Sequence, residues 1–103
     1  MALELRPNCE LCDRDLPPDS PDARICSYEC TFCASCVESV LRNVCPNCGG
    51  GFAPRLIRPA TERRPGVCLA RQPASAQRVH LKWDRATLAE FINQAAPIDP
   101  AER

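Results

Sequence analysis

A chain of 103 residues accommodates at most one domain with a tail, and with nine cysteines and only five aromatic side chains it has too few large apolar residues for a self-sufficient core, so metal or disulfides must help hold it. No run approaches the roughly 20 apolar residues of a membrane span and residues 1–7 lack the apolar stretch of a secretory leader, so the protein is expected in the cytoplasm with no membrane association; there, clustered cysteines are metal ligands rather than disulfides. The formal charge of zero hides an asymmetry: residues 1–52 hold eight acidic and four basic side chains, residues 53–83 hold seven basic against Glu62 alone, and residues 84–103 hold four acidic against two basic.

In chain order, a short extended piece around Leu5, Arg6 and Pro7 leads into a knuckle, Cys9-Glu10-Leu11-Cys12. Leu16-Pro17-Pro18-Asp19-Ser20-Pro21-Asp22 forms a loop, because three prolines remove donors and fix φ. Two short strands follow, over residues 23–27 and 31–32, turning at an exposed Tyr28-Glu29, with Ile25 and Phe32 as core residues. Residues 34–43 read as a helix whose Val37, Val40 and Leu41, with Val44 beyond, face the metal core. Cys45-Pro46-Asn47-Cys48-Gly49-Gly50-Gly51 is a second knuckle, its glycines allowing the backbone to turn amide groups toward sulfur, and Phe52 closes a module spanning residues 1–54.

Residues 55–80 change character, with Arg55, Arg58, Arg63, Arg64, Arg71 and Arg78 spread among prolines; they read as a flexible, extended linker carrying Cys68 as an exposed thiol outside any ligand pair. Residues 81–96 become orderly again. Asp84 caps a helix over about 85–95, Trp83 and Leu88 stand at the positions of a hydrophobic staple, and Leu88, Phe91, Ile92 and Ala95 form one apolar stripe that ends at Pro97. Such a helix is marginal alone in water, so Leu88, Phe91 and Ile92 must dock on the module, on a partner or on a second copy. His80 reads as a solvated side chain, and residues 97–103 as a disordered tail.

The cysteines follow C-x2-C-x13-C-x3-C-x2-C-x2-C-x8-C-x2-C, eight thiols in closely spaced pairs between Cys9 and Cys48. Four-coordinate zinc takes four sulfurs and a C-x2-C turn presents two at once, so two structural Zn2+ ions are expected, each closed by four thiolates and lacking the open position of a catalytic zinc. Four pairs can be joined in two ways. Sequential sites would combine Cys9, Cys12, Cys26 and Cys30 on one ion and Cys33, Cys36, Cys45 and Cys48 on the other. Interleaved sites, a treble-clef arrangement, would combine Cys9, Cys12, Cys33 and Cys36, leaving Cys26, Cys30, Cys45 and Cys48.

Residues 9–48 resemble RING domains in spacing, with Leu11 directly before the second ligand, Pro46 inside the last pair, and Cys30 where the usual histidine stands. The resemblance implies the interleaved cross-brace: a small metal-stabilised α+β module with a short β-hairpin and one short helix. It also implies a partner-facing groove at Leu11, Val37, Leu41 and Pro46. More closely, residues 1–60 are similar to a bacterial family of short proteins known as domain of unknown function twelve seventy-two, through Leu5-Arg6-Pro7-Asn8-Cys9, Leu16-Pro17-Pro18-Asp19-Ser20, Ile25-Cys26 and Cys45-Pro46-Asn47-Cys48-Gly49-Gly50-Gly51-Phe52. That likeness implies a cytoplasmic bacterial protein and brings no activity with it.

These readings favour a zinc-binding adaptor that contacts another macromolecule. The alternative is nucleic-acid association through the six linker arginines and Lys82, whose bland counterpart is a cationic linker lying against an acidic, thiolate-rich module. Ubiquitin-ligase activity is disfavoured because Gly49 stands where active ligases carry a basic residue. A rubredoxin-like iron carrier is suggested only by the Cys-Pro-Asn-Cys-Gly knuckle, and an enzyme is not expected, since the glycine run lacks the Lys-Ser/Thr of a P-loop.

Overall fold

The structure, a computed structural model, describes residues 2–103. Three short strands form its sheet: β1 (Ala23–Ile25), β2 (Thr31–Cys33) and β3 (Ala53–Pro54), in the order β2-β1-β3. β1 and β2 are an antiparallel hairpin pairing Ala23 with Cys33 and Ile25 with Thr31, and its turn passes through Glu29 at φ +67°. β3 adds to the other side of β1, where Pro54 is tolerated because an edge strand can do without one donor.

β2 runs straight into α1 (Ala34–Cys36), with Cys33 both the last strand residue and the helix cap. The helix continues as a wider π-turn over Val37–Leu41, in which the Arg42 N–H reaches back to the Val37 carbonyl, and it stops where Arg42 and Asn43 adopt φ +48° and +61°. Val37, Leu41 and Val44 are all buried there, in one cluster with Leu16 and Phe32. Phe52 packs edge-on against Phe32, with ring centroids 5.5 Å apart, as the cap of the module. Asn43 holds this closure by accepting from the Phe52 N–H at 2.9 Å, and a Cβ on Gly51 would come within 3.2 Å of the Asn43 amide, a close approach that suits glycine.

α2 (Arg85–Ala95) begins at Asp84, whose carboxylate accepts from the Thr87 N–H at 2.8 Å. Asp84→Ala should therefore cost about 1 kcal/mol, read as a lower urea midpoint with unchanged slope. Of the stripe offered to the module, a partner or a second copy, Leu88 and Ile92 are buried in the protein's own core, and only Phe91 remains at the rim, 37 % exposed. Each of the two buried side chains contributes about 1.5–3 kcal/mol, which stabilises a helix too short to persist alone.

Three expectations for the C-terminal half are corrected: a flexible linker over 55–80, an exposed Cys68 and a disordered tail over 97–103. Residues 55–80 contain no regular element, as their prolines dictate, yet they are not a free linker. The Arg55 guanidinium is buried and donates to the carbonyls of Arg6, Leu16 and Pro17 at 2.8, 3.2 and 2.9 Å. Farther along, Ser75 N–H donates to Leu5, Asn8 exchanges two hydrogen bonds with the Val79 backbone, and Leu81 N–H donates to the Glu10 carbonyl. Cys68, expected at the surface, is 3 % exposed, enclosed by a loop in which Glu62 accepts from Gly66 N–H and Arg71. The end of the chain is also docked: a 3-10 turn (Pro100–Glu102) brings Arg103 to the carbonyls of Asn43 and Gly49 at 2.8 and 3.2 Å.

Candidate metal centre

Two places in the fold gather sulfur. The first knuckle presents Cys9 and Cys12, with Asp13 at φ +65° and its N–H bonded to the Cys9 carbonyl at 2.9 Å. Opposite it, the junction of β2 and α1 presents Cys33 and Cys36, three residues apart and so on one face of the first helical turn. The four sulfurs lie within 4.8 Å of one another. Four sulfurs arranged tetrahedrally at about 2.3 Å from a zinc ion are about 3.8 Å apart, and Cys12 Sγ to Cys33 Sγ is 3.8 Å. The donor set therefore fits a thiophilic, four-coordinate ion.

At the second place, the turn after β1 presents Cys26 and Cys30, and the second knuckle presents Cys45 and Cys48. The sulfurs of Cys26, Cys45 and Cys48 lie within 4.8 Å of one another, and Cys30 stands outside that mutual group, its sulfur 3.5 Å from the Asn47 amide. Backbone amides point at these sulfurs: Tyr28 N–H to Cys26 at 3.3 Å and Gly50 N–H to Cys48 at 3.4 Å. Gly49 makes the knuckle possible at φ +81°, with its N–H on the Cys45 carbonyl at 2.7 Å. Gly49→Ala should destabilise the protein by about 1–2 kcal/mol, because the left-handed backbone is strained for alanine and the new Cβ would stand 3.4 Å from the Phe91 ring; thermal unfolding of the loaded protein measures it.

In both clusters burial and crowding oppose ionisation of most of the thiols. Burial, and then its thiol neighbours, push Cys36 well above the ordinary thiol range, and burial raises Cys26 to about 11. In the second cluster, the interaction between the Cys30 and Cys45 thiols pulls Cys30 down to about 5 and pushes Cys45 up. Crowded thiols cannot all ionise together, so they split into high and low values, and a divalent cation reverses that preference for every member. All nine cysteines are unbridged.

Glu10, Asn8 and Asn47 support the two clusters and were not singled out from the sequence. Glu10 is 3 % exposed and accepts from Arg6 and from the Thr31 N–H, both at 2.8 Å, tying the first knuckle to β2. The available signal was Arg6 four residues before Glu10, a pairing more often found on surfaces. Asn47 donates toward Cys30 Sγ at 3.5 Å and accepts from the Trp83 indole N–H at 2.9 Å.

The positions expected to face a partner are mostly enclosed. Val37 and Leu41 are buried, as are Leu88 and Ile92, and Leu11 is half-buried against the core. Pro46, itself buried, and Phe91 line a cavity of about 340 Å³ between the second knuckle and α2 whose rim includes Trp83. The linker arginines are largely engaged within the molecule: Arg55 and Arg58 on carbonyls, Arg71 on Glu62, and Arg78 on Asp13 and Asp15. His80 is exposed with Nε2 3.2 Å from Asp13. Among the described residues, no helix is long and apolar enough to cross a membrane.

Fold and site together define a small α+β protein with a three-stranded sheet and two cysteine clusters able to hold metal. The chain belongs to the family described as "Protein of unknown function (DUF1272)", whose model matches residues 2–58. It is 58 % identical over 77 residues to an uncharacterized protein of Rhizobium meliloti (strain 1021), covering 75 % of this chain and 84 % of that one. That stretch is longer than the family match, so the likeness reaches past residue 58. No solved structure matches the chain.

Proposed function

We propose that the protein is a structural zinc module, cross-braced in the treble-clef manner, which works in the cytoplasm as a small interaction protein rather than as an enzyme. Cys9, Cys12, Cys33 and Cys36 hold one Zn2+, and Cys26, Cys30, Cys45 and Cys48 hold the other. The observation that carries this reading is the first cluster, four sulfurs from two distant segments with an edge of tetrahedral length. Zinc supplies the cross-link and the charge that lets all the thiols ionise; the chain's own amides and Asn47 orient the sulfurs. Four thiolates leave the ion no position for water, so its role is to hold shape.

An interaction role is supported by what the surface keeps apolar: Trp83 and Phe91 at the cavity rim, and Leu56 and Ile57 after β3, at 75 % and 58 % exposed. The ligase reading is disfavoured because α2 packs on the module with Val37 and Leu41 enclosed beneath. Nucleic-acid binding is disfavoured by arginines already paired inside the molecule.

Native mass spectrometry of protein purified under reducing conditions should find two zinc ions, and cobalt substitution should give the intense thiolate-to-metal absorption and tetrahedral bands of two four-sulfur sites. One ion, a red iron protein, or cobalt spectra of higher coordination would overturn the assignment.

A further inference from the structure

The second cysteine cluster and the C-terminal helix share a set of contacts that the first cluster does not make. Asn47 stands between the ligands Cys45 and Cys48 and reaches in two directions, its amide donating toward Cys30 Sγ at 3.5 Å and its carbonyl accepting from Trp83 Nε1 at 2.9 Å. One residue past the last ligand, Gly49 lies against Phe91 and offers its carbonyl to Arg103 at 3.2 Å. Pro46, Asn47 and Cys48 form one wall of the cavity whose other wall is Trp83, Thr87, Leu88 and Phe91. The metal knuckle is thus one side of the seat of α2; the other is the helical segment after β2, where Val40 lies beside Leu88 and Ile92 and Arg42 donates to Asn93 at 2.7 Å. An ion bound by Cys26, Cys30, Cys45 and Cys48 would fix the knuckle that carries Pro46, Asn47 and Gly49, and with it this side of the seat.

We infer that the second cluster is a metal-operated latch on α2, with Asn47 as the positioning residue that joins the Cys30 ligand to Trp83. This rests on the two-zinc reading above and goes beyond it. Loss of the ion from Cys26, Cys30, Cys45 and Cys48 frees the helix and uncovers Leu88 and Ile92, while the cluster of Cys9, Cys12, Cys33 and Cys36 keeps its own ion. Linkage makes the coupling reciprocal: contacts that hold α2 also hold the metal.

The test uses the full-length, two-zinc protein. A chelator is added in steps while native mass spectrometry counts metals, alkylation mapping reports which thiols have opened, and hydrogen exchange follows the α2 amides. Trp83, the single tryptophan, reports its own exposure by emission. Protection of residues 85–95 should vanish and Trp83 emission should shift to the red in step with alkylation of Cys45 and Cys48.

In the reciprocal arm, Trp83→Phe keeps an aromatic ring and removes the indole donor, and Asn47→Ala removes both bonds together with the amide's contact with Glu10 at 3.5 Å. Each should speed release of one zinc of the two by about 10-fold, the usual effect of losing an outer partner of a ligand. The double variant should release zinc no faster than Asn47→Ala alone, because both changes act through one bond. Helix amides still protected after Cys45 and Cys48 have been alkylated, or wild-type zinc release from Trp83→Phe, overturn the latch and leave the two-zinc module standing. A protein that binds no metal overturns both.

Discussion

Exhaustive chelation of the reduced protein is expected to abolish its tertiary structure, with near-ultraviolet dichroism and amide dispersion lost together. The reason is one of magnitude. Structural zinc contributes about 10–16 kcal/mol of apparent binding energy per site at neutral pH, whereas a domain of this size has a total stability of about 5–15 kcal/mol. The apolar core cannot replace it: its side chains are Leu5, Leu16, Phe32, Leu41, Val44 and a few others, and cysteines fill the rest. Readdition of zinc should restore the spectrum. A chain that kept its full tertiary signal at zero metal, measured by elemental analysis on the same sample, would show that oil and hydrogen bonds suffice, and the zinc reading would fall with it.

Arg55→Ala is expected to be the most damaging substitution outside the cysteines, at about 3–5 kcal/mol. The guanidinium is 4 % exposed and serves three main-chain carbonyls from two separate segments, Arg6 on one side and Leu16 with Pro17 on the other. Charge-assisted hydrogen bonds are worth about 1.5–3 kcal/mol each, and removing the donor leaves buried acceptors without partners. Burial lowers the Arg55 pKa, but arginine begins so high that the group stays charged at any working pH. Arg55→Lys should recover only part of the loss, since one ammonium cannot reproduce the planar fork. Arg63→Ala, at an exposed position in the same Arg-rich stretch, is the control and should change stability by less than about 0.5 kcal/mol. Thermal unfolding reads both, with a fall in Tm of roughly 12 °C or more for Arg55→Ala. Equal effects at 55 and 63 would mean that the clamp contributes nothing.

Arg55 also marks the boundary between what was legible in the residues and what was not. The hairpin was expected over 23–27 and 31–32 and forms over Ala23–Ile25 and Thr31–Cys33; α2 was expected over 85–95 and occupies Arg85–Ala95, with Asp84 as its cap. These features depend on neighbours within a few positions: a turn between two short apolar runs, a carboxylate at the first turn, apolar side chains at three- and four-residue spacing. The helix after β2 was shorter and wider than expected because Arg42 and Asn43 turn left-handed, which brings the Asn43 amide onto Phe52. No spacing rule announces such a turn at an arginine.

By itself, then, the sequence determined the chemistry of this protein and its local elements: sulfur in pairs, a hairpin, a capped amphipathic helix and irregular segments wherever proline recurs. Only the tertiary structure decided that residues 55–80 lie along the module, that Cys68 is enclosed, and that Leu88 and Ile92 belong to the chain's own core. The physical reason is the nature of the acceptors. Arg55 and Ser75 bind backbone carbonyls, Val79 is held by Asn8 across 71 positions of chain, and every residue carries the same carbonyl, so a main-chain partner leaves no trace in the letters.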